Sequence, residues 1–240
     1  MTTLSILVVG LLLGMKHATE ADHLAAVATL ATRQTSLAQT LRQGLAWGVG
    51  HTLTLMTFGG AVLLLGQTIS PALGQALESA VGVMLFVLGG DVLRRLVRDR
   101  IHFHMHRHGP SSVHVHAHSH RGEGAHAESA HRHPHARRWP LRALAVGMMH
   151  GLAGSAALVV LTLQSIPSLG LGVGYIAVFG IGSIAGMASL SLVIAVPLRL
   201  SSSYLTRLHV AMTALVGAFS CGLGAWMVLE IGYLEALLGV

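Results

Sequence analysis

The chain has 240 residues, 52% of them hydrophobic and 10% charged. Soluble domains are about a quarter charged, so this composition belongs to the membrane class. The formal net charge is +6, and the single cysteine, Cys221, excludes a disulfide framework and a thiolate metal cage.

Six apolar segments reach the roughly 20 residues that cross a bilayer: 4–30, 41–66, 76–97, 141–164, 171–196 and 207–231. No basic stretch precedes Leu4-Ser-Ile-Leu-Val-Val-Gly-Leu-Leu-Leu, and no small-residue cleavage site follows it. The segment therefore reads as a first span rather than a cleaved leader.

The first span carries the chemistry. His17, Glu20, Asp22 and His23 fall within seven residues. An Asp at the centre of a membrane helix costs roughly 2.5–3.5 kcal/mol on insertion scales, and a divalent cation is the natural compensation for two acids beside two imidazoles. At about 100° per residue, His17, Glu20 and His23 share a stripe about 120° wide, and Asp22 lies on the adjoining face. A straight helix could not aim all four at one ion. Either the helix bends or unwinds here, with Gly14 a candidate point, or one carboxylate stands behind a ligating imidazole. Lys16, next to the site, is a candidate partner for Glu20 or Asp22.

His51 lies in the middle of the second span, within Trp47-Gly-Val-Gly-His51-Thr52, and His150 lies in the fourth. Either one completes the site or is an ordinary buried histidine bonded to a carbonyl. Thr52, Thr54, Ser155 and Ser183 either line a path or bond one helix to the next. Imidazole and carboxylate without thiolate suit Ni(II), Co(II), Zn(II) or Mn(II) and disfavour Cu(I).

The segment 98–140 separates two halves, 1–97 and 141–240. It holds 12 histidines between His102 and His135, mostly in His-x-His spacing. Such tracts bind divalent metals weakly at many sites, and a segment without apolar residues is expected to be disordered. It reads either as a metal buffer or handover segment or as a solvated linker.

The halves resemble each other. Gly14-Met-Lys-His17 matches Gly147-Met-Met-His150, Gly48-Val-Gly50 matches Gly180-Ile-Gly182, and Val81-Gly82 with Gly89 matches Val216-Gly217 with Gly224; the offsets are 133, 132 and 135 residues. Three helices per repeat is an odd number, so the second repeat must insert upside down. Inverted repeats of this kind are typical of secondary transporters, with the substrate held near the midplane. The expected fold is thus an all-α polytopic membrane protein of six transmembrane helices in two inverted three-helix repeats. The second half has Ala153, Ser155 and Ala156 in place of Glu20, Asp22 and His23, so the site's charge comes from the first half.

Of the 15 basic residues, 14 are arginines, and all 14 lie in or beside the connections after spans one, three and five. The opposite side has none. Read by the positive-inside rule, both termini face outward and 98–140 is cytoplasmic. The positive charge is a topology signal and predicts no nucleic-acid partner.

His17, four residues, then Asp22-His23 in a membrane helix resembles the signature of the nickel/cobalt transporter family. Gly50-His51-Thr52 resembles that family's second motif. Six spans and a His-rich central loop look like its short branch, which includes urease-accessory permeases and nickel/cobalt resistance proteins. Glu20 stands where an Asp is usual, and His150-Gly-Leu-Ala-Gly occupies the region of the long branch's acidic motif. The resemblance implies that His17, Asp22, His23 and His51 recognise the metal, with Glu20 and His150 as further candidates. It also implies no resident cofactor, Ni2+ or Co2+ being the substrate. The partners it implies are the lipid bilayer and a cytosolic metallochaperone or urease or hydrogenase maturation factors.

No phosphate-binding loop is present, so uptake driven by membrane potential in the inner membrane is expected of this chain, which would not be an enzyme. Efflux by proton antiport through the same site remains an alternative. A membrane metalloenzyme with Glu20 as its base is a remote one.

Overall fold

The computed structural model describes residues 2–34, 36–65, 70–98, 103–108, 112–117, 140–152, 168–204 and 206–238. Helix α1 runs Thr3–His17. The Thr2 hydroxyl accepts from the Ser5 amide at its start, a side-chain cap for an otherwise unpaired donor. The helix stops where Thr19 and Glu20 turn their amides onto the Lys16 and His17 carbonyls. The Thr19 hydroxyl also donates to the Lys16 carbonyl at 2.6 Å, the local competition with helical bonding that threonine offers. Glu20 is extended, and α2 restarts at Ala21 and runs to Ala31. The two helices meet at 56°. The first span is therefore broken at residues 18–20. Gly14, the breakpoint the sequence suggested, stays helical.

Helix α3 spans Leu37–Leu65 and α4 spans Pro71–Arg98. Ser36 and Ser70 cap them by accepting from the Gln39 and Leu73 amides, and Pro71 takes the first helical position, where its missing N–H is no loss. After the central segment come α5 (Leu141–Leu152), α6 (Leu169–Tyr204) and α7 (Thr206–Leu238). The span expected at 141–164 is seen as α5 to Leu152, and its remainder lies outside the described residues, together with Ser155.

Within 98–140, where disorder is expected from composition, two stretches form strands. Strands β1 (Phe103–His108) and β2 (Ser112–Ala117) pair antiparallel, with His104 opposite His116 and His106 opposite His114. Histidines alternate with Phe103, Met105, Val113 and Val115, a period of two that suits a pleated strand. The rest of the segment, apart from Arg98 and Pro140, lies outside the described residues.

Pro71–Arg98, Leu169–Ser201 and Leu208–Gly232 are each long and apolar enough to cross a membrane, and the bent pair α1–α2 passes the same test as one span. Leu12, Phe86, Val87, Leu215, Trp226 and Leu229 are exposed on their outer faces. Bands of large exposed apolar side chains mark a surface made for lipid or protein rather than water.

Inside, the helices approach through small residues. On the α4–α7 crossing, a Cβ on Gly82 would press to 2.9 Å from the Gly224 carbonyl oxygen, and Gly89 meets Gly217 in the same way. The Ser220 hydroxyl donates to the Leu85 carbonyl across that crossing. Without a hydrophobic drive in lipid, close backbone contact and interhelical hydrogen bonds hold such pairs together. Thr52 donates to the Gly180 carbonyl and Ser183 to that of Gly14, so both bond one helix to another; Thr54 bonds its own helix at Gly50.

Asp91 on α4 gathers Arg33 from the end of the α1–α2 pair, Arg94 and Arg95. One carboxylate facing three partly exposed arginines is worth more than any single surface pair, which contributes about 0–1 kcal/mol. Asp91→Asn is expected to lower the unfolding free energy by about 1 kcal/mol in low salt and by less in high salt. Thermal unfolding at two ionic strengths measures this.

Candidate metal centre

The break after α1 sets the site. It lets His17, the last residue of α1, and His23, in the first turn of α2, face each other with ring centroids 4.4 Å apart. A continuous helix would have left them about one and a half turns apart. His51 arrives from the middle of α3, 5.2 Å from His17 and 5.3 Å from His23. His150 arrives from the last turn of α5, 4.8 Å from His23. All four are at most 4% exposed.

Backbone approach makes the convergence possible. A Cβ on Gly14 would overlap the Phe179 carbonyl oxygen, and one on Gly147 would overlap that of Trp47. These two contacts seat α1 on α6 and α5 on α3. Each glycine lies one turn before its histidine, so each close contact fixes the height at which an imidazole enters the cluster.

The outer nitrogens are spoken for. His17 Nδ1 lies 2.9 Å from Glu20 Oε1, and His23 Nδ1 lies 2.9 Å from Asp22 Oδ1. His150 Nδ1 lies 3.2 Å from the Val146 carbonyl oxygen. A carbonyl or carboxylate oxygen can only accept, so each Nδ1 carries the proton and each Nε2 keeps its lone pair. Those three Nε2 atoms, with both nitrogens of His51, have no hydrogen-bond partner among the described residues. Five orphaned ring nitrogens in one buried place are a poor result for a core, since each unsatisfied buried polar atom costs about 1–3 kcal/mol. For a cation site they are the expected ligands, with the carboxylates orienting the rings from behind.

Two groups of donor atoms each lie within 4.8 Å of one another: His17, His23 and His51, and Asp22, His23 and His150. Three ligands around a first-row ion at roughly 2.1 Å per bond stand about 3.6 Å apart, so the donors of either group would draw together on binding. His23 belongs to both. Asp22 joins them, its second oxygen 3.8 Å from His150 Nε2.

All six residues singled out in the sequence are thus in one neighbourhood, in two different positions relative to the cluster. Five supply donor atoms to the groups. Glu20 is 45% exposed and touches His17 from outside, and it belongs to neither group. Lys16 is exposed, and the acids pair with His17 and His23 instead. Two aromatic residues had been passed over as site components. Trp47 packs 5.3 Å from His23 and 5.5 Å from His150, and Phe179 packs 5.6 Å from His17. The available signal was spacing, since Trp47 stands one helical turn before His51.

Apolar helices with exposed apolar faces, closed around a buried imidazole cluster, define a multi-pass membrane protein with polar chemistry at its centre. Over 234 residues the chain is 33% identical to the urease accessory protein UreH of Bacillus sp. (strain TB-90), an alignment covering 98% of this chain and 95% of that one. The chain belongs to the family of that protein. No protein-family model matches the chain, and no solved structure does.

Proposed function

We propose that this protein carries Ni2+, and Co2+ with it, across the cell's inner membrane, and that the net direction is inward. The observation that carries the reading is the set of orphaned imidazole nitrogens of His17, His23, His51 and His150, buried beside the half-buried Asp22 at the meeting point of α1, α2, α3 and α5. Neutral imidazoles with one nearby carboxylate suit a late first-row divalent ion. Similarity to a urease accessory protein and the resemblance of the two histidine motifs to nickel/cobalt transporters favour nickel among those ions.

The contacts support six spans in two inverted repeats. Gly14 meets Phe179 and Gly147 meets Trp47; Gly182 meets Leu11 and Gly50 meets Leu144; Gly48 meets Ile184 and Gly180 meets Thr52. In each pair the second contact is the first one shifted by the repeat offset of 132 or 133 residues, with the roles of the two halves exchanged. A twofold axis in the membrane plane generates that reciprocity, and it puts the imidazole cluster between the halves, where alternating-access carriers hold their substrate.

The arginines face the cytoplasm in this reading, as does the His-rich segment, which receives ions for maturation partners. A divalent ion moving inward gains about 4.6 kcal/mol per 100 mV of membrane potential. That sustains a gradient of more than about a thousandfold, so potential alone suffices for uptake. The bound ion takes Nε2 of His17 and His23 and one nitrogen of His51, while Glu20 and Asp22 hold the rings in the correct tautomer.

His17→Ala should abolish cellular nickel accumulation on expression, and Asp22→Asn should lower it sharply, while the amount of protein in the membrane is unchanged. Normal accumulation by both variants would remove the site assignment. Metal resistance conferred in place of accumulation would reverse the direction.

A further inference from the structure

A small cavity of about 10 Å3, room for about one water molecule, lies against the cluster, lined by Val27, Leu30 and Ala31 of α2, by Thr40, Gln43, Gly44 and Trp47 of α3, and by Ser191 of α6. The proposed transport does not by itself assign it a role. Along α3, Trp47, Gln43 and Thr40 stand about one, two and three turns before His51, each step leading toward Arg42 and Arg33. Along α2, Val27 and Leu30 stand one and two turns beyond His23, in the same direction. The cavity therefore continues the site toward the arginine-rich side, and Trp47, in ring contact with both His23 and His150, is the wall between them.

The lining is polar where a passage needs it. Gln43 is 7% exposed, and its Oε1 has no hydrogen-bond partner among the described residues. The indole N–H of Trp47 is likewise buried and, among the same residues, unpaired. The Ser191 hydroxyl donates to the Met187 carbonyl, and the Thr40 hydroxyl to that of Ser36. Their donors being used, both oxygens keep lone pairs. The cavity thus offers three oxygen acceptors, no acid and no imidazole. Such a set binds a late divalent metal far more weakly than the histidines do.

The geometry points to a transit station. Resting on the proposed transport, we infer that a divalent cation leaving the histidine cluster passes Trp47 and is received by Gln43, Thr40 and Ser191 on its way to the arginine-rich side. A weak oxygen station after a strong nitrogen one meets the requirement that a conducted ion be held firmly enough to enter and loosely enough to leave.

The test uses the full-length protein in proteoliposomes, with radioactive nickel uptake read beside nickel affinity in detergent. Gln43→Leu, which keeps the side-chain volume and removes the oxygen, is expected to slow uptake about tenfold or more while affinity stays within about twofold, because the station limits exit and not binding. Gln43→Asn keeps a neutral amide oxygen near the same position and should retain at least half of the uptake. Ser191→Ala should slow uptake in the same direction with the fold undisturbed. Undiminished uptake by Gln43→Leu and Ser191→Ala overturns the inference, as does a parallel loss of affinity and uptake. Failure of the wild-type protein to move nickel, or full activity of His17→Ala run alongside, strikes instead at the transport reading.

Discussion

Replacing His23 by alanine is expected to remove nickel binding and uptake together, with the largest loss of any single change in the cluster. His23 is the one residue common to both groups of donor atoms, so no arrangement of the remaining ligands recovers three contacts within either group. Loss of an outer partner typically costs about 10–100-fold in metal affinity, and loss of this shared ligand should exceed about 100-fold. Asp22→Asn is the informative comparison. It leaves an oxygen able to accept from His23 Nδ1 and removes only the charge, so its affinity should fall within the outer-partner range of about 10–100-fold. Titration calorimetry on purified protein separates the two. Equal affinity in His23→Ala and the wild type would show that the ring nitrogens are not the ligands.

Gly147→Val should be the most damaging change away from the ligands. A Cβ there would overlap the Trp47 carbonyl oxygen and come within 2.7 Å of the Trp47 side chain. The obstacle is backbone, which no rotamer change relieves. Overpacking of this kind costs typically about 1–3 kcal/mol, occasionally more, and the valine methyls should place this site at or above the upper end. Moving α5 off α3 also withdraws His150 from His23 and Asp22, so nickel affinity should fall along with stability. Gly59→Ala is the matched control. Among the described residues nothing lies within 4 Å of a Cβ at Gly59, so its substitution should be neutral or stabilising by about 0.5–1 kcal/mol, the ordinary helix-interior preference for alanine. Thermal unfolding in detergent with and without nickel reads both effects. A Gly147→Val protein as stable as the wild type would contradict the packing described.

Much of this was legible in the sequence because the physics of a membrane helix leaves few explanations for an acid. Asp22 beside His23 had to be compensated, and the helical angles of His17 and Asp22 showed that a straight helix could not do it. The break at residues 18–20 resolves that conflict, but its position was not legible. It depends on the Thr19 hydroxyl taking the Lys16 carbonyl and on Glu20 being extended, and neither residue is a strong helix breaker by itself. The split between ligand and outer partner was half legible. Stripe geometry put Glu20 with the histidines, whereas once the helix breaks Glu20 swings outward to His17 Nδ1 and Asp22 swings toward His150. Trp47 and Gln43 were hard to single out for another reason. An indole and an amide in an apolar helix look like packing until a cavity and an unpaired atom show otherwise. In the central segment, composition argued for disorder, while the alternation of His with Phe103, Met105, Val113 and Val115 already carried the strand period.

The most direct test of the account is nickel flux into proteoliposomes under an imposed potential, negative inside, with cobalt, zinc and manganese as competitors. The account predicts potential-dependent accumulation of nickel, inhibited best by cobalt and abolished by His17→Ala. Absence of nickel flux in the wild-type protein, or flux that His17→Ala leaves intact, would contradict it.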